Sequence, residues 1–238
     1  DKTGHGFVEM RLSYYDNADN GDGNPFLDED LTVIEPVIIF DYNISNKTAL
    51  WGKFSYDAVS SASIDRLSKY SVQSGASGDN YFGFDFGFRH QWKPDLKFGG
   101  FISASTEYDY SSFGLGADVT KDLDNKNASV KFSINGFFDS IDVIRFNGQE
   151  EGSESRTSIS TTLGYYQILN STTHAELGMT FTHQDGFLET PYNAIVVEDS
   201  SDPINVNLDN LARGTEYSEE LPDQRERLAL FGKVRKSL

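Results

Sequence analysis

Four oxygen-bearing side chains, Ser103, Ser105, Glu107 and Asp109, recur at every second position, against Ile102, Ala104, Thr106 and Tyr108. On an extended strand that spacing sets all four on one face. Carboxylates and hydroxyls gathered in this way suit hard cations, so the run reads as a cation-attracting constriction or a metal site. It reads equally as a structural network completed by a base such as Arg89, since carboxylates removed from water need partners. The network is the expected role.

A second oxygen-rich stretch, residues 16–24, has the composition of a calcium loop, with Asp16, Asp19 and Asp22 as weak candidate ligands. Its acidic spacing departs from that of an EF-hand, and Asp, Asn and Gly are also what solvated turns demand. The expectation is a turn. The four histidines, at 5, 90, 174 and 183, accompany no nucleophile motif, and no phosphate-cradling glycine loop, zinc spacing or dinucleotide fingerprint occurs. Neither catalysis nor a cofactor is expected.

The elements that must position these residues are strands. The chain has 238 residues, 21 Gly, 12 Tyr and 18 Phe, and its aromatic fraction of 13% is high beside a hydrophobic fraction of 37%. That mixture suits strands better than helices. It has no Cys, so neither a disulfide nor thiolate chemistry is in play. The net charge of −17 repels phosphates and argues against nucleic acid or any other polyanion as a partner.

No apolar run approaches the roughly 20 residues that a membrane helix needs. A transmembrane strand needs only about 9 to 11 residues of alternating character, which mean hydropathy conceals. The alternation is clearest where Phe82, Phe84, Phe86 and Phe88 oppose Gly83, Asp85, Gly87 and Arg89. It recurs where Phe132, Ile134 and Phe138 oppose Lys131, Ser133, Asn135 and Asp139, with Phe137 as a large intruder, and where Leu177, Met179 and Phe181 oppose Glu176, Gly178 and Thr180.

On this reading strands are expected near 7–15, 33–43, 48–59, 81–91, 96–109, 112–121, 128–138, 157–168, 173–183 and 226–236. The connections alternate in length. Short turns at 45–47, 93–95, 122–127 and 170–172 are separated by longer loops at 16–32, 60–80, 139–156 and 184–225, with only the link near Ser111 short where a long one is due. Short turns on one rim and long loops on the other are the outer-membrane arrangement, and a structureless loop of about forty residues is unusual in a compact soluble domain.

The fold expected is therefore an all-β, antiparallel, up-and-down transmembrane barrel with about ten strands in this chain, one domain over residues 1–238. The final segment from Arg225 reads as a strand without a return hairpin, so further strands are expected beyond it. Phe82, Phe84, Phe86, Phe88, Phe132, Ile134, Leu177 and Phe181 are expected to face lipid. Arg11, Glu35, Lys53, Asp57, Asp85, Arg89, Ser105, Glu107, Asp109, Arg225 and Arg227 are expected to line the lumen, as a hydrated wall with internal ion pairs. Tyr14, Tyr15, Tyr42, Trp92, Tyr108, Tyr110, Tyr165 and Tyr166 lie near strand ends, where an interfacial girdle would place them.

Several short motifs follow in order: Tyr14-Tyr15 before an acidic loop, Glu35-Pro36, residues 57–63 (DAVSSAS), Gly75-Ala76-Ser77, residues 105–112 (STEYDYSS) and Leu221-Pro222-Asp223-Gln224-Arg225. As an ordered set they resemble a bacterial family of outer-membrane β-barrel proteins of unknown function, over nearly the whole chain. The resemblance implies an outer-membrane address, an antiparallel barrel, a length greater than this chain and no established enzyme activity, with polysaccharide export as a candidate role. The function expected is a pore or export channel; the alternative is a non-transporting scaffold for a lipoprotein or another partner in an envelope complex. Outer-membrane lipid and lipopolysaccharide are the expected surroundings.

Overall fold

The computed structural model of the chain describes residues 2–17, 31–59, 79–144, 150–189, 194–197, 215–218 and 221–236. Ten strands form one sheet: β1 (Gly6–Asn17), β2 (Leu31–Asn43), β3 (Thr48–Val59), β4 (Asp79–Lys93), β5 (Leu96–Thr106), β6 (Tyr110–Leu123), β7 (Ala128–Ile144), β8 (Glu150–Asn170), β9 (Thr173–Gly186) and β12 (Gln224–Lys236). Each pairs antiparallel with the next, in the order β1 to β9 and then β12. The fold is all-β and up-and-down. The sheet is not closed on itself, and β1 and β12 are its two edges.

Register is continuous across the sheet. Shifts occur only at Gln91/Lys93, Asp142/Ile144 and Ile168/Asn170, each at or near a strand end. Residues opposite one another share a face, so the alternation of β4 propagates to every other strand. One face collects Val8, Met10, Ile38, Phe54, Phe84, Ile102, Phe113, Phe132, Leu163, Leu177 and Leu230, and the other most of the charged residues together with a few large apolar ones such as Trp51, Phe101 and Phe137.

The apolar face has nothing packed on it among the described residues. Phe84 is 44% exposed and Leu230 76%, and the buried apolar set is only Val37, Ala49, Ala128, Ile141 and Val143. In water, each large side chain left bare in this way forfeits roughly 1.5 to 3 kcal/mol of burial. Charged side chains reach the apolar face only towards strand ends, as at Asp16, Lys121, Asp142, Asp185 and Glu226.

At one end the strands are joined by residues 44–47, 94–95, 124–127 and 171–172. The third of these is a short 3-10 turn over Asp124–Lys126, in which Asp124 and Asn125 take left-handed φ values of 47° and 51°. Asp and Asn tolerate that region because their short polar side chains bond locally. The connections 18–30 and 60–78, at the other end, lie outside the described residues.

Three expectations are corrected. The long loop foreseen at 139–156 is instead a continuation of the ladder: β7 runs to Ile144 and β8 begins at Glu150, leaving a connection of residues 145–149. Polar side chains on both faces read as a loop, but the ladder is made by the backbone, and cross-strand pairs such as Asp139 with Arg156 and Ser153 with Asp142 hold it. Along β7 the pattern also inverts. Ser140 and Asp142 stand on the face of Phe138, while Ile141 and Val143 are buried on the opposite one.

The strand foreseen to 109 stops at Thr106. The Glu107 N–H donates to the Tyr110 carbonyl at 2.7 Å and turns the chain back at once. Finally, the 184–225 stretch is not structureless: β9 extends to Gly186, β12 starts at Gln224, and β10 (Ala194–Val197) pairs with β11 (Thr215–Ser218) between them.

Candidate functional site on the polar face

Nine of the eleven polar candidates share one face of the sheet. Arg11 stands opposite Val37 and Glu35 opposite Ser13; Lys53 faces Asp85, Arg89 faces Ala49, Ser105 faces Gly83, and Asp57 faces Tyr81. Arg225 and Arg227, on β12, face Gln184 and Thr182. Glu107 and Asp109 do not join them on a strand. They sit in the β5–β6 connection, where Asp109 is buried and its carbonyl accepts the Asp142 N–H at 2.8 Å. The four alternating oxygens of 103–109 therefore do not form one row, because the hairpin turns before the second pair.

The charges of this face pair across strands. Arg89 of β4 reaches over β3 to Asp41 of β2. Lys97 bonds Asp122 at 2.9 Å, and Lys131 lies 3.6 Å from Asp118. Asp57 is the exception among the described residues, its buried Oδ1 having no hydrogen-bond partner. Further round, hydroxyls and amides replace charges. Ser160 bonds Thr182 at 2.7 Å, Thr162 bonds Thr180 at 2.9 Å, and Gln184 donates to Ser158 while accepting from Arg225. Such pairs satisfy polar groups without gathering them on one point.

The most enclosed of these interactions was not singled out from sequence. The Asp139 Oδ2 accepts from Nε of Arg156 at 2.8 Å, an Nη of the same guanidinium lies 2.8 Å from it, and its Oδ1 accepts from Ser112 at 2.7 Å. The guanidinium also lies 5.9 Å from the centroid of the Tyr110 ring. Only the i to j spacing of opposite charges across a hairpin signals this pair, and that signal requires knowing that 139–156 is a ladder.

Of the weak metal candidates, Asp16 accepts from the Thr32 hydroxyl at 3.0 Å, and Asp19 and Asp22 lie outside the described residues. Among the described residues no three His, Asp or Glu side chains gather as a metal site. The foreseen aromatic girdle divides between the faces. Tyr14, Tyr42, Trp92 and Tyr165 are on the apolar face, whereas Tyr15, Tyr110 and Tyr166 are on the polar one, Tyr166 bonding and stacking on His174. Tyr108 lies in the β5–β6 connection.

A family model described as "Protein of unknown function (DUF3570)" matches residues 3–238. The chain belongs to this family. No curated protein matches it. Among solved structures, this DUF3570 chain is similar to the open form of the ferric-catecholate import receptor Fiu from E. coli K12, with a TM-score of 0.46, 6% identity, and 96% of this chain and 46% of that one covered. It is also similar to a mutant of the ferric enterobactin receptor PfeA from Pseudomonas aeruginosa, with a TM-score of 0.48, 10% identity, and 100% and 38% covered. The DUF3570 chain thus spans less than half the length of either receptor.

A further regularity of the DUF3570 chain is that large rings are seated on glycines: on the apolar face Phe40 covers Gly52 and Phe88 covers Gly100, and the polar face repeats the arrangement. Trp51 covers Gly87, Phe101 covers Gly116, Phe137 covers Gly114 and Phe231 covers Gly178. A Cβ at Gly87 would come within 2.5 Å of indole Cε2 and Cζ2 and within 2.7 Å of the Gly100 carbonyl. Phe137, the intruder in the alternation, is thereby accounted for: it sits on the polar face and shares with the Ser103 hydroxyl the space that Gly114 leaves.

Proposed function

We propose that the apolar face is wetted by acyl chains of a bacterial outer membrane, that the polar face lines the lumen of a barrel, and that the protein is a pore or export channel. The observation that carries this reading is the bare apolar face, continuous over ten strands, with charges kept to its margins. A soluble sheet of this size would bury such a face under a second layer, whereas a membrane barrel turns it to lipid. The opposite face, with ion pairs and hydroxyl ladders, has the character of a wet wall.

Purification and reconstitution of the native protein test this. It is expected to require detergent for monodispersity and to produce discrete current steps in a planar bilayer. Solubility without detergent overturns the membrane assignment. Silent insertion with intact fold overturns the pore and leaves the barrel.

One observation favours a second role as a scaffold for a surface partner. β7 and β8, at 17 and 21 residues, exceed the 9 to 11 or so that cross a membrane, and their outward residues turn polar beyond Phe138. A partner that co-purifies stoichiometrically and is lost on trimming residues 141–153 would support scaffolding; its persistence would remove this reading.

A further inference from the structure

Trp51 on β3, Phe101 on β5 and Phe137 on β7 lean over glycines of the polar face on successive alternate strands. Trp51, Gly87, Phe101 and Gly116 fall on one hydrogen-bonded row, and Phe137 stands one row nearer the long-connection end. The Trp51 and Phe101 centroids are 6.3 Å apart with their planes tilted by 46°, and all three side chains remain partly exposed.

Hydrogen-bonding groups border this row. Asn135 stands opposite Gly116, while Lys53, Asp85 and Ser103 occupy the adjacent row in register with one another. We propose that Trp51, Phe101 and Phe137 form a stacking track for a neutral sugar chain, a reading that rests on the polar face being a lumen wall. The C–H faces of sugar rings stack on aromatic faces, and hydroxyls at the ring edge meet the bordering carboxylate, amide, hydroxyl and ammonium groups. A wholly apolar ligand would leave those groups without partners. A phosphate-bearing polymer would be repelled by a chain of net charge −17. Barrel strands tilt by roughly 35 to 45°, so a row along the hydrogen-bonding direction climbs the wall and offers successive platforms.

The competing explanation is that the rings only cover glycine backbone, as aromatic residues do in other sheets. Substitution at Trp51 separates the two, because leucine keeps an apolar cover and loses the flat face, whereas phenylalanine keeps both. The sequence has two tryptophans, and Trp92 is on the apolar face, so native protein carrying Trp92→Phe reports on Trp51 alone.

Maltohexaose and cellohexaose are titrated separately against this protein in detergent. A saturable change in Trp51 emission with at least one of them is expected. By calorimetry, Trp51→Leu is expected to weaken that affinity about tenfold and Trp51→Phe by much less, the scale of one lost aromatic contact. No saturable change with either sugar, or equal binding by Trp51→Leu, overturns the track. The lumen reading fails separately: a protein that responds to sugar yet passes no current keeps the track and loses the pore, and one that conducts without sugar binding does the reverse.

Discussion

Asp139 and Arg156 meet across β7 and β8 with the carboxylate almost wholly enclosed, its side chain 3% exposed against 25% for the guanidinium. Ser112 of β6 completes the set, so three strands are tied at one point. Arg156→Met leaves a buried carboxylate with only the Ser112 and Tyr110 hydroxyls for company and is expected to cost about 3 kcal/mol. The double variant Arg156→Met/Asp139→Leu is expected to recover most of that, since an apolar pair of similar volume leaves no charge unpaired. Urea unfolding of the refolded protein in vesicles measures both; a double variant as unstable as the single one contradicts the assignment.

The two faces predict opposite responses to a new charge. Phe84→Arg places a cation amid the apolar band and is expected to destabilise by roughly 2 to 4 kcal/mol in vesicles. Ser103→Arg, next to Asp85 in register, is expected to cost far less. Equal losses would mean that the apolar face does not meet lipid.

Gly87→Ala tests the seating of the indole. The added methyl meets Trp51 and the Gly100 carbonyl together, so the ring must lift and the neighbouring strand must give. A loss of about 1 to 3 kcal/mol is expected. Gly164→Ala, where no atom lies within 4 Å of the new Cβ, serves as the control and should be nearly neutral.

At the short-turn end, the Lys121 ammonium bonded to Asp95 holds the Asp95 carboxyl below its ordinary value. A carboxyl lowered on folding contributes stability above its unfolded pKa, and that contribution disappears as pH falls through the lower, folded one. Lys121→Met is therefore expected to move the Asp95 titration, followed by carboxyl NMR, back up towards the ordinary aspartate range. An unmoved titration would show that the pair does not persist in solution.

The fold was largely readable from residue order, and for a physical reason. A strand with one face in each of two solvents must alternate, and the run from Phe82 to Arg89 does so without interruption. Parity alone then assigns Arg11, Lys53, Asp85, Arg89, Ser105 and Arg227 to a common face. What parity cannot convey is where a hairpin ends. Glu107 and Asp109 continue the alternation in sequence after the backbone has turned, and β7 and β8 continue the ladder after the alternation has inverted. Nor does it show that Phe137 belongs among polar residues, because its place is set by the vacancy at Gly114 on another strand.

A register that shifts only near strand ends has a consequence for how such a chain can change. Adding or removing a single residue inside β4 would exchange Phe84, Phe86 and Phe88 with Asp85, Gly87 and Arg89 beyond the lesion, unless a bulge absorbed it. Pairs of residues leave parity intact, and so does any length change within a connection. Surviving variants of this protein are therefore expected to differ in strand length by even steps, while odd insertions collect in the connections at either rim.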